Sequence, residues 1–401
     1  MKNSLLVLTT LVLLVLGTFT ITSCTDDNPG TSATELLAKK FDAAPVLDGE
    51  IDDIWSKCQV LENTAVVPDA GPRQGADFNG DGSDAPVGVF DPYTGESNNF
   101  ELRAGTHEDN IYFLLTWDDA EDSKDRESWY FDDNSGLWKT QHKYANNDDD
   151  KYYEDKFSFL FAANEVEGFA ANTCYATCHQ GLSVNNPGHK AARHYTNNEG
   201  EIVDMWHWKR VRSTYGPTRV DDQQQVYKEH TGDAGQNGRK GDAGTAGYHT
   251  NSQKLLLDGS GEEVSVPKYV IPGAIDTKWY TIDDVNNGTA KEVTGVSSTG
   301  VLYYDGGSIN PADGGFENGT GNKRFASVWV ENFTGSRGDI DIAAIHTGSG
   351  WVCEFTRKMN TGFEDDVQFD VTKDFPFGLA IFNNAAIAHE IKTNLLLTFE
   401  Q

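Results

Sequence analysis

Trp351-Val352-Cys353-Glu354-Phe355-Thr356-Arg357 is the stretch whose reading decides the fold. Apolar and polar side chains alternate through Val352-Cys353-Glu354-Phe355, the period-two pattern of a strand with one buried face. Segments of the same kind lie at Phe100–Ala104, Asn110–Trp117, Phe157–Ala163, Phe325–Asn332, Val367–Val371, Phe377–Phe382 and Leu395–Phe399, with turn residues between them. Long helical periodicity is nearly absent. At most a short helix is expected near Glu35–Phe41, and two turns at Trp206–Thr214. The pattern predicts an all-β protein, an antiparallel β-sandwich with long loop insertions and little helix.

Composition narrows the function. The 401 residues hold 32 Lys+Arg against 62 Asp+Glu, a formal net charge of −30, which repels phosphate backbones and argues against nucleic acid. With 38% hydrophobic and 11% aromatic residues the chain has the material for a core, so wholesale disorder is excluded. Residues 1–23 read as a signal peptide: Lys2 is the basic start, and Leu5 to Leu16 is too short to span a bilayer comfortably. Ile21-Thr22-Ser23-Cys24 resembles a bacterial lipobox, which makes Cys24 the candidate for lipidation; the alternative is an ordinary signal peptide that contains a cysteine. Residues 24–43 then read as a tether of the Bacteroidetes lipoprotein type. The expectation is an exported protein held to the outer membrane, facing periplasm or cell surface, by its lipid alone.

Residues 44–401 read as one domain with a functional insertion at about 164–324. That interval holds a Gly-rich tract, Thr231–Gly247, and the motif Thr173-Cys174-Tyr175-Ala176-Thr177-Cys178-His179. Two cysteines followed at once by histidine is the attachment pattern of c-type haem, here with three intervening residues in place of the usual two. A local disulfide and a zinc site with two further ligands are the other readings. Downstream, His189, His194, Met205 and His207 offer a second axial ligand, and Trp206 and Trp208 offer apolar surface. The blander reading makes the tryptophans core and the histidines surface.

The set Cys174/Cys178/His179, His194-Tyr195-Thr196-Asn197 and Asp204-Met205-Trp206-His207-Trp208-Lys209 resembles the ethylbenzene dehydrogenase-related haem-binding domains. These are similar to the haem-carrying gamma subunits of dimethylsulfoxide reductase-class molybdoenzymes. Val46-Leu47-Asp48-Gly49-Glu50-Ile51-Asp52-Asp53-Ile54-Trp55 looks like the opening of these domains and of family-nine carbohydrate-binding modules. Asp365–Asp370 and Phe375–Asn384 resemble their closing strands, and Gly238–Asp242 with Asn251 their Gly-rich loop. The resemblance implies a sandwich of the immunoglobulin or carbohydrate-binding-module type that holds one haem and passes single electrons without turnover of its own. Family gamma subunits ligate b-type haem with Met and Lys; here the cysteines suggest covalent haem. His179 is then the proximal ligand, His194 the first distal candidate and His207 the second, with Lys358 and Met359 weaker. Lys209, Arg210 or Arg212 would pair with propionates. The implied partners are redox proteins, a molybdoenzyme or other cytochromes.

Asp77, Asn79, Asp81 and Asp84 stand at the spacing that opens a Ca²⁺ loop, although position twelve is Gly88 and not Glu. Cys58 and Cys353 could pair if their strands are neighbours. The alternative function is a family-nine-type carbohydrate-binding lipoprotein without haem, in which aromatic faces stack on sugars and Ca²⁺ orders a loop.

Overall fold

The computed structural model describes residues 30–68, 93–141, 152–178, 194–227, 238–317, 321–386 and 388–401. The signal peptide, Cys24, the stretch Asp77–Asp84, His179, His189 and the start of the Gly-rich tract lie outside them.

Thirteen strands form the principal sheet. In chain order they are β1 Thr31–Ser32, β2 Glu35–Lys40, β3 Val60–Val66, β4 Ser97–His107, β5 Asn110–Asp118, β6 Lys156–Ala162, β7 Ile202–Lys209, β8 Arg219–Val226, β9 Arg239–Gly241, β10 Ile340–His346, β11 Gly350–Lys358, β12 Phe375–Phe382 and β13 Glu390–Phe399. Their spatial order is β1-β3-β13-β2-β4-β5-β11-β10-β8-β7-β6-β12, with β9 on β8. Because β12 also pairs with β13, the sheet closes on itself and leaves few free edges. The protein is an all-β sandwich, as the alternation predicts. Its two layers meet through aromatic side chains: Phe113 of β5 lies 5.9 Å from Phe159 of β6 and 5.7 Å from Trp206 of β7.

The opening motif folds back onto the strand that decides the fold. Glu354 of β11 accepts hydrogen bonds from Trp55 Nε1 at 2.8 Å and from the Gly49 amide at 2.9 Å. Gly49 has φ +81°, a conformation that only glycine adopts freely.

Five expectations change. Residues 35–40 are not a tether or a helix. They form β2, which runs parallel between β13 and β4, with Leu36 and Ala38 pointing into the core. Local helix preference of Leu-Leu-Ala-Lys-Lys is overridden by burial of alternate side chains. Trp206–Thr214 is not a helix either; Trp206–Lys209 ends β7. Val367–Val371 packs two side chains, Val367 and Phe369, into the core without joining the sheet. The interval 164–324 is not one insertion, because β7, β8 and β9 within it belong to the main sheet. Part of the interval joins residues 129–138 and Phe325 in a second apolar cluster that includes Trp129, Phe131, Trp138, Val293, Phe316 and Phe325. Phe325–Asn332 contributes only the short strand Val328–Val330, in a separate three-stranded sheet.

Cys58 and Cys353 do not pair; both are buried free thiols. The alternation of β11 explains this. Cys353 points into the main core, while Cys58 packs with Trp55, Tyr112 and Val352 on the outer side of the same wall.

If β2 is structural, Leu36→Ala should destabilise the protein by about 2–5 kcal/mol in denaturant unfolding. An unchanged midpoint would return residues 35–40 to the role of a tether.

Candidate functional site

Strand β7 sorts the residues of Asp204-Met205-Trp206-His207-Trp208-Lys209 onto two faces, because successive side chains of a strand point opposite ways. Asp204, Trp206 and Trp208 face the core. Trp206 packs 5.2 Å from Phe161, and Trp208 lies 5.0 Å from Trp351. Met205, His207 and Lys209 face outward. The tryptophans therefore cannot line a pocket shared with Met205 and His207, which corrects the sequence expectation. Pairing with β6 and β8 adds to the outer face Ser158 beside His207, Leu160 beside Met205, and Gln223 and Gln225 from β8.

Two one-turn helices cover this outer face, α1 Phe169–Asn172 and α2 Cys174–Thr177. Between them Thr173 has φ +41°, a strained value for a β-branched residue, and its hydroxyl accepts from the Asn394 amide at 3.1 Å. α2 places the two cysteines one turn apart, with the Cys178 amide donating to the Cys174 carbonyl at 2.8 Å. Cys174 is buried with Leu160, Val203 and Met205, directly over Gly378 of β12. A Cβ at residue 378 would overlap its sulfur. Burial, followed by the neighbouring Cys178, pushes the Cys174 thiol well up and keeps it neutral. Gln225 Nε2 lies 2.9 Å from Cys178 Sγ and 3.6 Å from Met205 Sδ, so it ties helix, β7 and β8 together.

His207 sits two positions along from Met205. It is 5% exposed and stacks 5.5 Å from Phe382, which in turn stacks 4.2 Å from His389. Arg239 Nη2 donates to His207 Nδ1 at 2.8 Å, and that charge fixes Nδ1 as the acceptor. Among the described residues His207 Nε2 has no hydrogen-bond partner, and neither do the side-chain oxygens of Ser158, Thr177 and Gln225. Four unmet polar atoms around one sheet face are unusual, since buried polar groups are nearly always paired. Burial, then the charges of Lys209, Arg239, Lys156 and Arg212, hold the His207 ring well below its ordinary titration range.

The same face carries buried cations. Lys209 is ion-paired with Asp221, which also binds Arg337 at 2.6 Å, and Arg212 binds Glu154 at 2.5 Å. Arg212 in turn lowers the Tyr248 hydroxyl to about 7. Lys156 is different. It is 2% exposed and makes no ion pair among the described residues; its ammonium lies 4.1 Å from the Phe382 ring centroid and 3.3 Å from the Ala386 carbonyl. Burial and Arg212 push its titration well down. Sequence reading missed Lys156, Ser158, Gln225 and Arg239. The signal for Ser158 and Lys156 is the strand alternation of Lys156–Ala162, which turns these two residues to the outer face.

A family model described as ethylbenzene dehydrogenase matches residues 52–393. The chain belongs to the ethylbenzene dehydrogenase family. Among solved structures it is similar to a carbohydrate binding module family 9 from Caldicellulosiruptor kristjanssonii in complex with glucose, at 6% identity and a TM-score of 0.27, covering 91% of this chain and 95% of that one. No curated protein matches the chain.

Of the family-style site residues, the structure brings together Cys174, Cys178, Met205 and His207. His194 is half-buried at the Val226 end of β8, its carbonyl packed beside Gly238. Lys358 is exposed at the end of β11, and Met359 packs against the main core. Arg210 is held by Asp122 at 2.5 and 2.9 Å.

The shifted histidine gives a signed prediction. Between the depressed folded value and the ordinary value of 6.5, the unfolded chain binds a proton that folded His207 does not. His207 therefore lowers stability as pH falls below 6.5, by up to about 1.4 kcal/mol per pH unit. Buried carboxyls with raised values, such as Asp242, act in the opposite direction, so the readout is a difference. Unfolding of the protein and of His207→Gln at pH 7.5 and 5.5 should show the variant losing less stability on acidification. Parallel losses would place the histidine in contact with solvent.

Proposed function

We propose that the chain is a haem-binding electron-transfer protein, exported and tethered by lipid at Cys24, acting as a redox carrier or accessory subunit and not as an enzyme in its own right. The observation that carries this reading is the shared outer face of β6, β7 and β8. There two thiols one helical turn apart, a thioether and a buried histidine with an unmet Nε2 lie together beneath short helices.

The residues present fit such a group. Cys174 and Cys178 would carry it covalently, and His179, next in the chain, would supply one axial nitrogen. His207 is favoured over His194 for the other by place, since it shares the outer face with Met205 and the cysteines; with Arg239 donating to Nδ1 the neutral ring carries its proton on Nε2, so ligation there would require that contact to turn aside and the proton to pass to Nδ1. A haem bound here supplies one-electron chemistry. The chain's own part is to exclude water with Phe382 and Met205 and to hold positive charge nearby. Lys156, unpaired among the described residues, is the cation best able to meet a carboxylate of the group. Lys209, Arg210 and Arg212 already serve Asp221, Asp122 and Glu154. Electrons would pass to and from partner proteins, with a molybdoenzyme or another cytochrome as the expected class.

Protein made in cells with the haem-attachment machinery should show a Soret band, and the pigment should stay on the chain after denaturation. Cys174→Ala with Cys178→Ala should release it to solvent extraction. His207→Ala should keep the covalent pigment but change its spectrum. A colourless preparation from such cells would sink the proposal, and glycan binding that survives the cysteine substitutions would favour the carbohydrate-binding alternative.

A further inference from the structure

The core-facing side of the same strands carries a second constellation that the outer face does not use. Asp204 of β7, Asp222 of β8 and Asp366, in the segment after β11, are fully buried, and one carboxylate oxygen from each lies within 4.8 Å of the others. Arg357 of β11 reaches this point, with Nη1 at 3.0 Å from Asp204, 3.3 Å from Asp222 and 3.7 Å from Asp366. The guanidinium is fixed from above by Trp206, 4.7 Å to the ring centroid. Asp242, 5% exposed, stands beside them, tied through Gln224 Nε2 at 2.7 Å.

One guanidinium cannot satisfy this many carboxylates. Asp204 Oδ1, both oxygens of Asp366 and Asp242 Oδ2 are buried and have no hydrogen-bond partner among the described residues. These are not the oxygens of an ordinary ion-pair network, in which each lone pair finds a donor. Hard oxygen donors without nitrogen or sulfur suit cations that take six or more oxygens, and not zinc.

We infer that Asp204, Asp222 and Asp366 form a structural site for one hard divalent cation of the Ca²⁺ class, seated beside Arg357. The cation takes the oxygens that the guanidinium leaves unmet and cross-links β7, β8 and the segment after β11. It braces from behind the strands whose outer side carries Met205 and His207. The site is separate from the Asp77–Asp84 stretch and does not depend on haem.

The test uses the full-length protein, stripped with a chelator and titrated with Ca²⁺, with Mg²⁺ in a parallel series. Native mass spectrometry should find a bound Ca²⁺ that persists in Asp81→Asn. The melting temperature should rise on addition. Asp222→Asn and Asp366→Asn should each weaken this binding more than about tenfold. Absence of a Ca²⁺ ion that survives Asp81→Asn at millimolar Ca²⁺ overturns the inference, as does binding unchanged in the Asp222→Asn/Asp366→Asn double variant. If the variants do not fold, the Asp81→Asn titration decides alone. Because metal content is read independently of the Soret band, this inference and the haem proposal stand or fall separately.

Discussion

The contact on which the rest depends is the aromatic packing between the two layers of the sandwich. Phe113 stacks 5.1 Å from Phe355 within one layer and packs against Phe159 and Trp206 of the other. These rings set which way β6 and β7 face. A one-residue slip in register would carry every side chain to the opposite face, sending Met205 and His207 into the core and Trp206 to the surface. Aromatic burial thus determines the chemistry outside it, although no ring of this core touches the outer face.

Charge is sorted by the same alternation. Strand β8 reads Asp221-Asp222-Gln223-Gln224-Gln225, with all five side chains buried. Asp221 turns outward to Lys209 and Arg337, while Asp222 turns inward to Arg357. A chain with a net charge of −30 thereby holds a cluster of cations on one side of a sheet and a cluster of carboxylates on the other. Their separation is one strand thickness, so each cluster must be satisfied by what lies on its own side.

Much of the architecture was legible in the sequence because strand alternation is a short-range signal. Residues 110–117, 157–163, 351–357, 377–382 and 395–399 all fall in or overlap strands of the main sheet. The failures share a cause. Glu35–Lys40 and Trp206–Lys209 carry local preferences that only their distant partners override, and a single chain does not display those partners. The site was legible by residue type: cysteines, histidine and methionine were named, and Cys174, Cys178, Met205 and His207 do converge. It was not legible by direction. Trp206 and Trp208 read as pocket walls until β7 proved to be a strand. Lys156 carries no motif, and Arg239 stands out only as part of the Gly238–Asp242 loop; their place at the site follows from pairing across β6, β7, β8 and β9.

The position of β2 has a kinetic consequence. It lies between β4, which follows soon after it, and β13, near the far end of the chain, and its Lys39 forms an ion pair with Glu400, 361 residues away. Half of its hydrogen-bonding capacity stays open until the last strand has been synthesised. Closure of the sheet is then a late, long-range event, of the kind that makes folding slow and leaves an exposed edge open to wrong partners. A nascent chain that holds this edge open would depend on being kept apart from its neighbours until its C-terminal strand arrives.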